Sequence, residues 1–405
     1  MRSLSSLTLL ALLACGGANG DTRTAAAAQP DSARPTTTAT AAGSVVPVAG
    51  SAVARAPMAE APAVRGLYVN RFAAQSSKRM RAMVGMADST EVNALVIDWK
   101  DEFGLNFASQ DPMLQKNAGK YGVIRDPKAM ADTLRAHGIV AIARIVVFKD
   151  PVAAEMNPDM IIRTPAGTPW QDHKKNTWVN PYDQRIWEYN LRVAEEAARA
   201  GFDEIQFDYI RFPEPFKSLP QQMYGDTKGV SKPQVLAEFL KAANARLDKL
   251  GVRSTADVFG LVTTVNGPLE IAQHWEVLSP VTDVILPMTY PSHYPRGSFG
   301  VARPNAEPYK IMYAAIAKAH ERDDKLGMKG EHVRPWIQAF TLGQPPYGPK
   351  EIEEQKRAIY DAGYDGWVLW HPGSKYELFL PGLEKTMESR KKAWTPKGQS
   401  VAATK

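Results

Sequence analysis

Two aspartates in consecutive apolar runs are the first residues in this chain that could do chemistry. Asp208 closes Glu204-Ile-Gln-Phe-Asp208, and Asp257 stands within Ser254-Thr-Ala-Asp257-Val-Phe-Gly260. A pair of carboxyl groups can share the work of breaking a glycosidic bond. One donates a proton to the leaving oxygen, and the other attacks the anomeric carbon or activates water. In the first run Ile205, Phe207 and Tyr209 alternate with Glu204, Gln206 and Asp208. Strand alternation separates these sets onto opposite faces, so Asp208 is expected on a polar face near the strand's end.

Other polar and aromatic residues close further apolar runs. They are Asp98, Trp99 and Lys100; Arg144; Tyr209 and Arg211; Tyr290, His293 and Tyr294; Gln338; and Trp370 and His371. These form the expected substrate-binding set, the aromatics suiting the apolar faces of sugar rings. Asp208 is expected as nucleophile or base and Asp257 as general acid, an order that could be reversed. Arg144, Lys100 and Arg211 would hold Asp208 ionised, because a nearby cation lowers a carboxyl pKa. The general acid needs its pKa raised. Each residue also suits a plainer role: an interior Asp in a buried ionic network, or an aromatic in core packing.

The elements that must position these residues alternate in type. Eight candidate strands run Gly66–Phe72, Ala94–Asp101, Val140–Lys149, Glu204–Phe212, Ser254–Gly260, Val284–Tyr290, Pro335–Phe340 and Trp367–Trp370. They are short, apolar and rich in β-branched or aromatic residues. Helical periodicity fills intervals between them, and three helices are expected to stop at Gly201, Gly251 and Gly363. Eight alternations in one chain predict a closed (β/α)8 TIM barrel, with its site at the C-terminal ends of the strands. The first strand is not followed by Gly-x-Gly-x-x-Gly, which counts against a dinucleotide fold.

Composition narrows the function. The 405 residues are 44% hydrophobic and 23% charged, with a net charge of +6, which suits a globular protein. The bases are scattered apart from Arg390, Lys391 and Lys392 near the end, a pattern of solvated residues rather than a nucleic-acid surface. Seven dispersed histidines, without His-Glu-x-x-His, give no expected metal site, and no cofactor is expected. Gly-x-Ser-x-Gly is absent as well.

The single cysteine, Cys15, ends Leu12-Leu-Ala-Cys15 after a short apolar stretch preceded by Arg2. This resembles a bacterial lipobox, in which the cysteine carries the lipid. Residues 1–15 therefore read as a lipoprotein signal and 16–63, rich in Ala, Thr and Pro, as a disordered tether. The barrel is expected over 64–390 and a disordered tail over 391–405. Gly16 after the cysteine favours the outer membrane in a Gram-negative cell. The expected partners are a membrane, through the lipid, and a polysaccharide or oligosaccharide substrate.

Four motifs together resemble the glycoside-hydrolase-like family DUF4015. They are Trp178-Val-Asn-Pro-Tyr182, Gly201-Phe-Asp-Glu-Ile-Gln-Phe-Asp208-Tyr-Ile-Arg-Phe-Pro213, Pro287-Met-Thr-Tyr-Pro-Ser-His-Tyr294 and Arg334-Pro-Trp-Ile-Gln338. The resemblance runs from about Val64 to His371 and implies a TIM barrel related to glycosidases, with a carbohydrate substrate. One position departs from it. The family pattern on the seventh strand is Gln-Asp-Phe, where this chain has Gln338-Ala339-Phe340. Alternation would turn Ala339 away from Gln338, toward the helices. The leading expectation is a glycoside hydrolase of the cell envelope. Its rivals are a non-catalytic glycan-binding lipoprotein on a degenerate barrel, which Ala339 would favour, and a metal-dependent hydrolase or deacetylase.

Overall fold

The computed structural model describes residues 63–394. Cys15, the expected signal and tether, and the chain after Trp394 lie outside the described residues.

Eight parallel strands close on themselves. They are β1 (Arg65–Val69), β2 (Ala94–Asp101), β3 (Val140–Val146), β4 (Glu204–Asp208), β5 (Arg253–Phe259), β6 (Val284–Met288), β7 (Trp336–Gln338) and β8 (Trp367–Trp370). Each pairs with the next, and β1 pairs with both β2 and β8, which completes the barrel. A two-residue strand, Gly104–Leu105, folds back antiparallel on the end of β2.

Alternation sorts the strand residues into two layers. Ile205, Phe207, Ala256, Val258, Ile337 and Ala339 join the core between strands and helices. Val96, Ile142, Leu286, Trp336 and Val368 pack inside the barrel. Ala339 thus faces the helices. At the barrel floor Arg334 Nη1 meets Glu204 Oε1 at 2.6 Å, joining the N-terminal ends of β4 and β7.

The helices begin and end as local chemistry dictates. Helix Gln184–Ala200 is capped by the Asp183 side chain, which accepts from Arg185 N, and ends at Gly201 with φ 97°. Helix Pro349–Asp361 is followed by Gly363 at φ 89°. Helix Lys232–Leu247 tightens into a 3-10 turn, Asp248–Leu250, before Gly251.

Two connections break the strand–helix rhythm among the described residues. After β5 the only α-helix is the single turn Trp275–Leu278, and after β8 there is only the 3-10 turn Leu380–Gly382. The chain after β5 is spent on the barrel's rim. The sequence reading placed Lys391 onward in a loose tail, but Lys391 pairs with Glu331 at 2.7 Å and Lys392 with Asp361 at 2.6 Å. Trp394 stacks on His320 at 4.4 Å. An aromatic ring and two long side chains give this short segment enough contact to order it.

Candidate active site

The charged centre is assembled from neighbouring strands. Asp98 on β2, Arg144 on β3 and Asp208 on β4 meet inside the barrel. Arg144 donates to Asp208 Oδ2 from Nε at 3.0 Å and from Nη2 at 2.5 Å. Its Nη1 donates to Asp98 Oδ1 at 2.5 Å. The other oxygen of Asp98 accepts from the Tyr68 hydroxyl at 2.6 Å. Asp208 Oδ1 accepts from Tyr209 N at 2.5 Å. Tyr209 has φ 53°, a left-handed conformation uncommon for a side-chain-bearing residue, and it turns the chain sharply out of β4.

Asp257 stands at the same height on the next strand. The register sets Gln206 opposite Thr255, so two residues further on Asp208 and Asp257 share a level. Gln206 Nε2 donates to both Asp257 oxygens at 3.0 Å, and Trp336 Nε1 donates to Oδ1 at 2.7 Å. Burial pushes the Asp257 carboxyl well above the usual carboxylate range, and the negative charge of Asp208 adds to the effect. Asp98 is also raised by burial, against the opposing pull of Arg144 and Tyr68.

A cleft opens over this centre at the C-terminal ends of the strands. Of the expected residues, Asp208, Tyr209, Arg211, Tyr290, His293, Tyr294 and Trp370 line it. Burial lowers the His293 pKa to about 4, so near neutral pH the ring is an uncharged hydrogen-bonding group. The Tyr294 hydroxyl is buried and has no hydrogen-bond partner among the described residues. It lies where a Cβ on Gly260 would come within 2.6 Å of it and within 2.5 Å of Met288 O, so glycine is required there.

Other expected residues lie elsewhere. Asp98, Arg144 and Asp257 are buried behind the cleft wall. Gln338 is also behind it and holds the rim loop by accepting from Ser292 N at 3.0 Å. The reading of Trp99 and Lys100 as rim residues needs correcting. Trp99 faces outward by alternation, with Leu95 and Ile97, and a register shift between Asp98 and Lys100 turns Lys100 outward as well. Trp99 stacks on Phe107 at 4.0 Å and donates to Val193 O. Lys100 pairs with Asp150 and lies 5.0 Å from the Tyr189 ring. Neither Lys100 nor Arg211 is paired with Asp208. Arg211 pairs with Glu214 at 3.0 Å and sits among the rings of Trp178, Tyr209 and Phe259. His371 is a turn-forming residue, its Nδ1 accepting from Gly373 N at 3.0 Å.

Sequence reasoning placed Lys149 at the end of the third strand without assigning it to the site, and it missed Asp172, His173, Glu214 and Phe216 and the place of Trp178 in the wall. Most come from long loops after β3 and β4, whose folding over the barrel no local pattern announces. Glu214 directly follows the Arg-Phe-Pro motif, and Trp178 opens another, so the motifs' edges were the available signal. Among the described residues, no group of three or more His, Cys, Asp or Glu is arranged to hold a metal ion.

Fold and cleft together define a glycosidase-like (β/α)8 barrel. The chain belongs to the DUF4015 family, described as "Putative glycosyl hydrolase domain", whose model matches residues 66–376. It is similar to a hypothetical protein from Ruminiclostridium thermocellum, with 35% identity over 47% of this chain and 97% of that one, at a TM-score of 0.43. The glycoside hydrolase domain of PgaB (BpsB) from Bordetella bronchiseptica shares 13% identity over 77% of this chain and 95% of its own, at a TM-score of 0.57. Alpha-L-fucosidase isoenzyme 2 from Paenibacillus thiaminolyticus shares 13% over 79% of this chain and 49% of its own, at 0.53. The last two are likenesses of fold. No curated protein sequence matches the chain.

Proposed function

We propose that the protein hydrolyses glycosidic bonds in an extracellular or cell-envelope polysaccharide. The observation that carries this reading is the pair of carboxyl groups at one height on adjacent strands. Asp208 opens onto the cleft and is ion-paired with Arg144, whereas Asp257 is buried with its pKa raised. An ion-paired carboxyl group beside a second one whose pKa is raised suits a division of roles between base and acid. Asp208 serves as nucleophile or base. Asp257, at the same height on the next strand, serves as general acid. Trp370, Tyr290 and Tyr209 supply ring faces to the sugar, and uncharged His293 a hydrogen bond.

A polysaccharide panel incubated with the full chain and scored for new reducing ends tests the activity. Release from at least one glycan is expected, and release from none contradicts it. In the same reading the chain is exported and held at the cell envelope, in the outer membrane of a Gram-negative cell, by lipid on Cys15. Cys15→Ser should move the protein out of the membrane fraction. If the variant fractionates like the wild type, the anchor is wrong.

A further inference from the structure

We infer that the cleft takes an anionic glycan, and that Lys149 recognises its acidic group. The glycan part rests on the hydrolase reading above; the anion part rests on the charges of the wall.

Each acid on the wall already has partners. Asp208 is paired with Arg144, and Glu214 lies 3.0 Å from Arg211 Nη1. Asp172 is turned into its own loop, accepting from Lys174 N at 2.8 Å, Asn176 N at 2.9 Å and Trp178 Nε1 at 3.0 Å. Lys149 differs. It is 8% exposed, and among the described residues no carboxylate stands within ion-pair distance of its ammonium. Its contacts are the Tyr209 hydroxyl at 3.4 Å and the face of the same ring at 4.8 Å.

An ammonium carries three donors, and the long contact to the Tyr209 hydroxyl answers only one of them. The position is built rather than incidental. Val147 N donates to Asp208 O at 2.9 Å, which fixes this stretch beside Asp208 and Tyr209. Lys149 therefore lines the same cleft as the carboxylate proposed to react. Lys174, exposed on the same wall, adds a second positive charge. A neutral glycan would leave Lys149 unanswered, whereas a carboxylate or sulfate on the sugar would give it a charge-assisted hydrogen bond.

The test measures binding by calorimetry, apart from turnover. The full chain is titrated with oligomers of polygalacturonate, alginate and chondroitin sulfate, each against its carboxyl-reduced or desulfated counterpart. At least one acidic oligomer should bind more tightly than its carboxyl-reduced or desulfated counterpart, by about tenfold or more. The preference should vanish in Lys149→Met and persist in Lys149→Arg, with Lys149→Gln replacing the Met variant if that one does not fold. Equal binding across every pair overturns the inference, and so does a preference that survives loss of the charge. The galacturonate and alginate arms report a carboxylate, and the desulfated arm reports a sulfate. Acid-selective binding without hydrolysis of any glycan would contradict the hydrolase reading and leave this inference standing. Hydrolysis confined to neutral glycans would do the reverse.

Discussion

Arg144 grips a single oxygen of Asp208 with two nitrogens, Nε at 3.0 Å and Nη2 at 2.5 Å, while its remaining nitrogen reaches Asp98. One guanidinium thus fixes the orientation of the carboxylate facing the cleft and compensates a second carboxyl group behind it. Asp208 Oδ1 accepts from the Tyr209 backbone amide.

Removing Arg144 should therefore be costly to the fold. Arg144→Met leaves two buried carboxyl groups without their shared cation, and loss of one partner from a buried pair costs about 3–5 kcal/mol. Denaturant unfolding of the variant checks this. A loss well under 1 kcal/mol would mean that Asp98 and Asp208 do not depend on it.

Asp257 should behave in the opposite way. Its folded-state pKa is raised by burial and by Asp208, so the fold prefers the protonated form. The stability it contributes is present below the ordinary carboxylate pKa and is lost as pH rises through the raised folded value. Asp257→Asn mimics the neutral form. Its melting temperature should gain on the wild type's between pH 5 and pH 8. A gap that stays constant or closes across that range would contradict the assignment.

Trp99 separates packing from binding. It lies in the outer core, 1% exposed and stacked on Phe107. Trp99→Ala should cost about 3–5 kcal/mol of stability. Glycan affinity of the folded protein should remain unchanged, as titration at low temperature would show. Weakened binding at full foldedness would return Trp99 to the site.

The barrel is legible in the sequence because each strand is a short apolar run and several intervening helices end on a glycine. The inward set Glu204, Gln206 and Asp208 follows from alternation alone, as does the outward turn of Ala339, which makes the missing aspartate at that position a change in the helix-facing core. Alternation from Asp98 already turns Trp99 toward the helices, and it fails only at Lys100, because a bulge adds a residue that no side-chain pattern marks. Glu214 and Phe216 are missed for another reason. A cleft wall built from loops depends on contacts far apart in the chain, as when Gln273 of the β5 loop donates to Ile210 O of the β4 loop at 3.0 Å.

The central claim is that Asp208 acts on substrate. Asp208→Asn keeps the side chain's shape and removes its charge, and Arg144 retains Asp98 as a partner. Turnover and melting temperature should be measured on one preparation, with a glycan that the wild type cleaves. Turnover should fall by several orders of magnitude while substrate binding persists, as expected for a group that acts chiefly in the transition state. A lowered melting temperature with near-normal specific activity of the folded protein would contradict the account and make Asp208 a structural partner of Arg144.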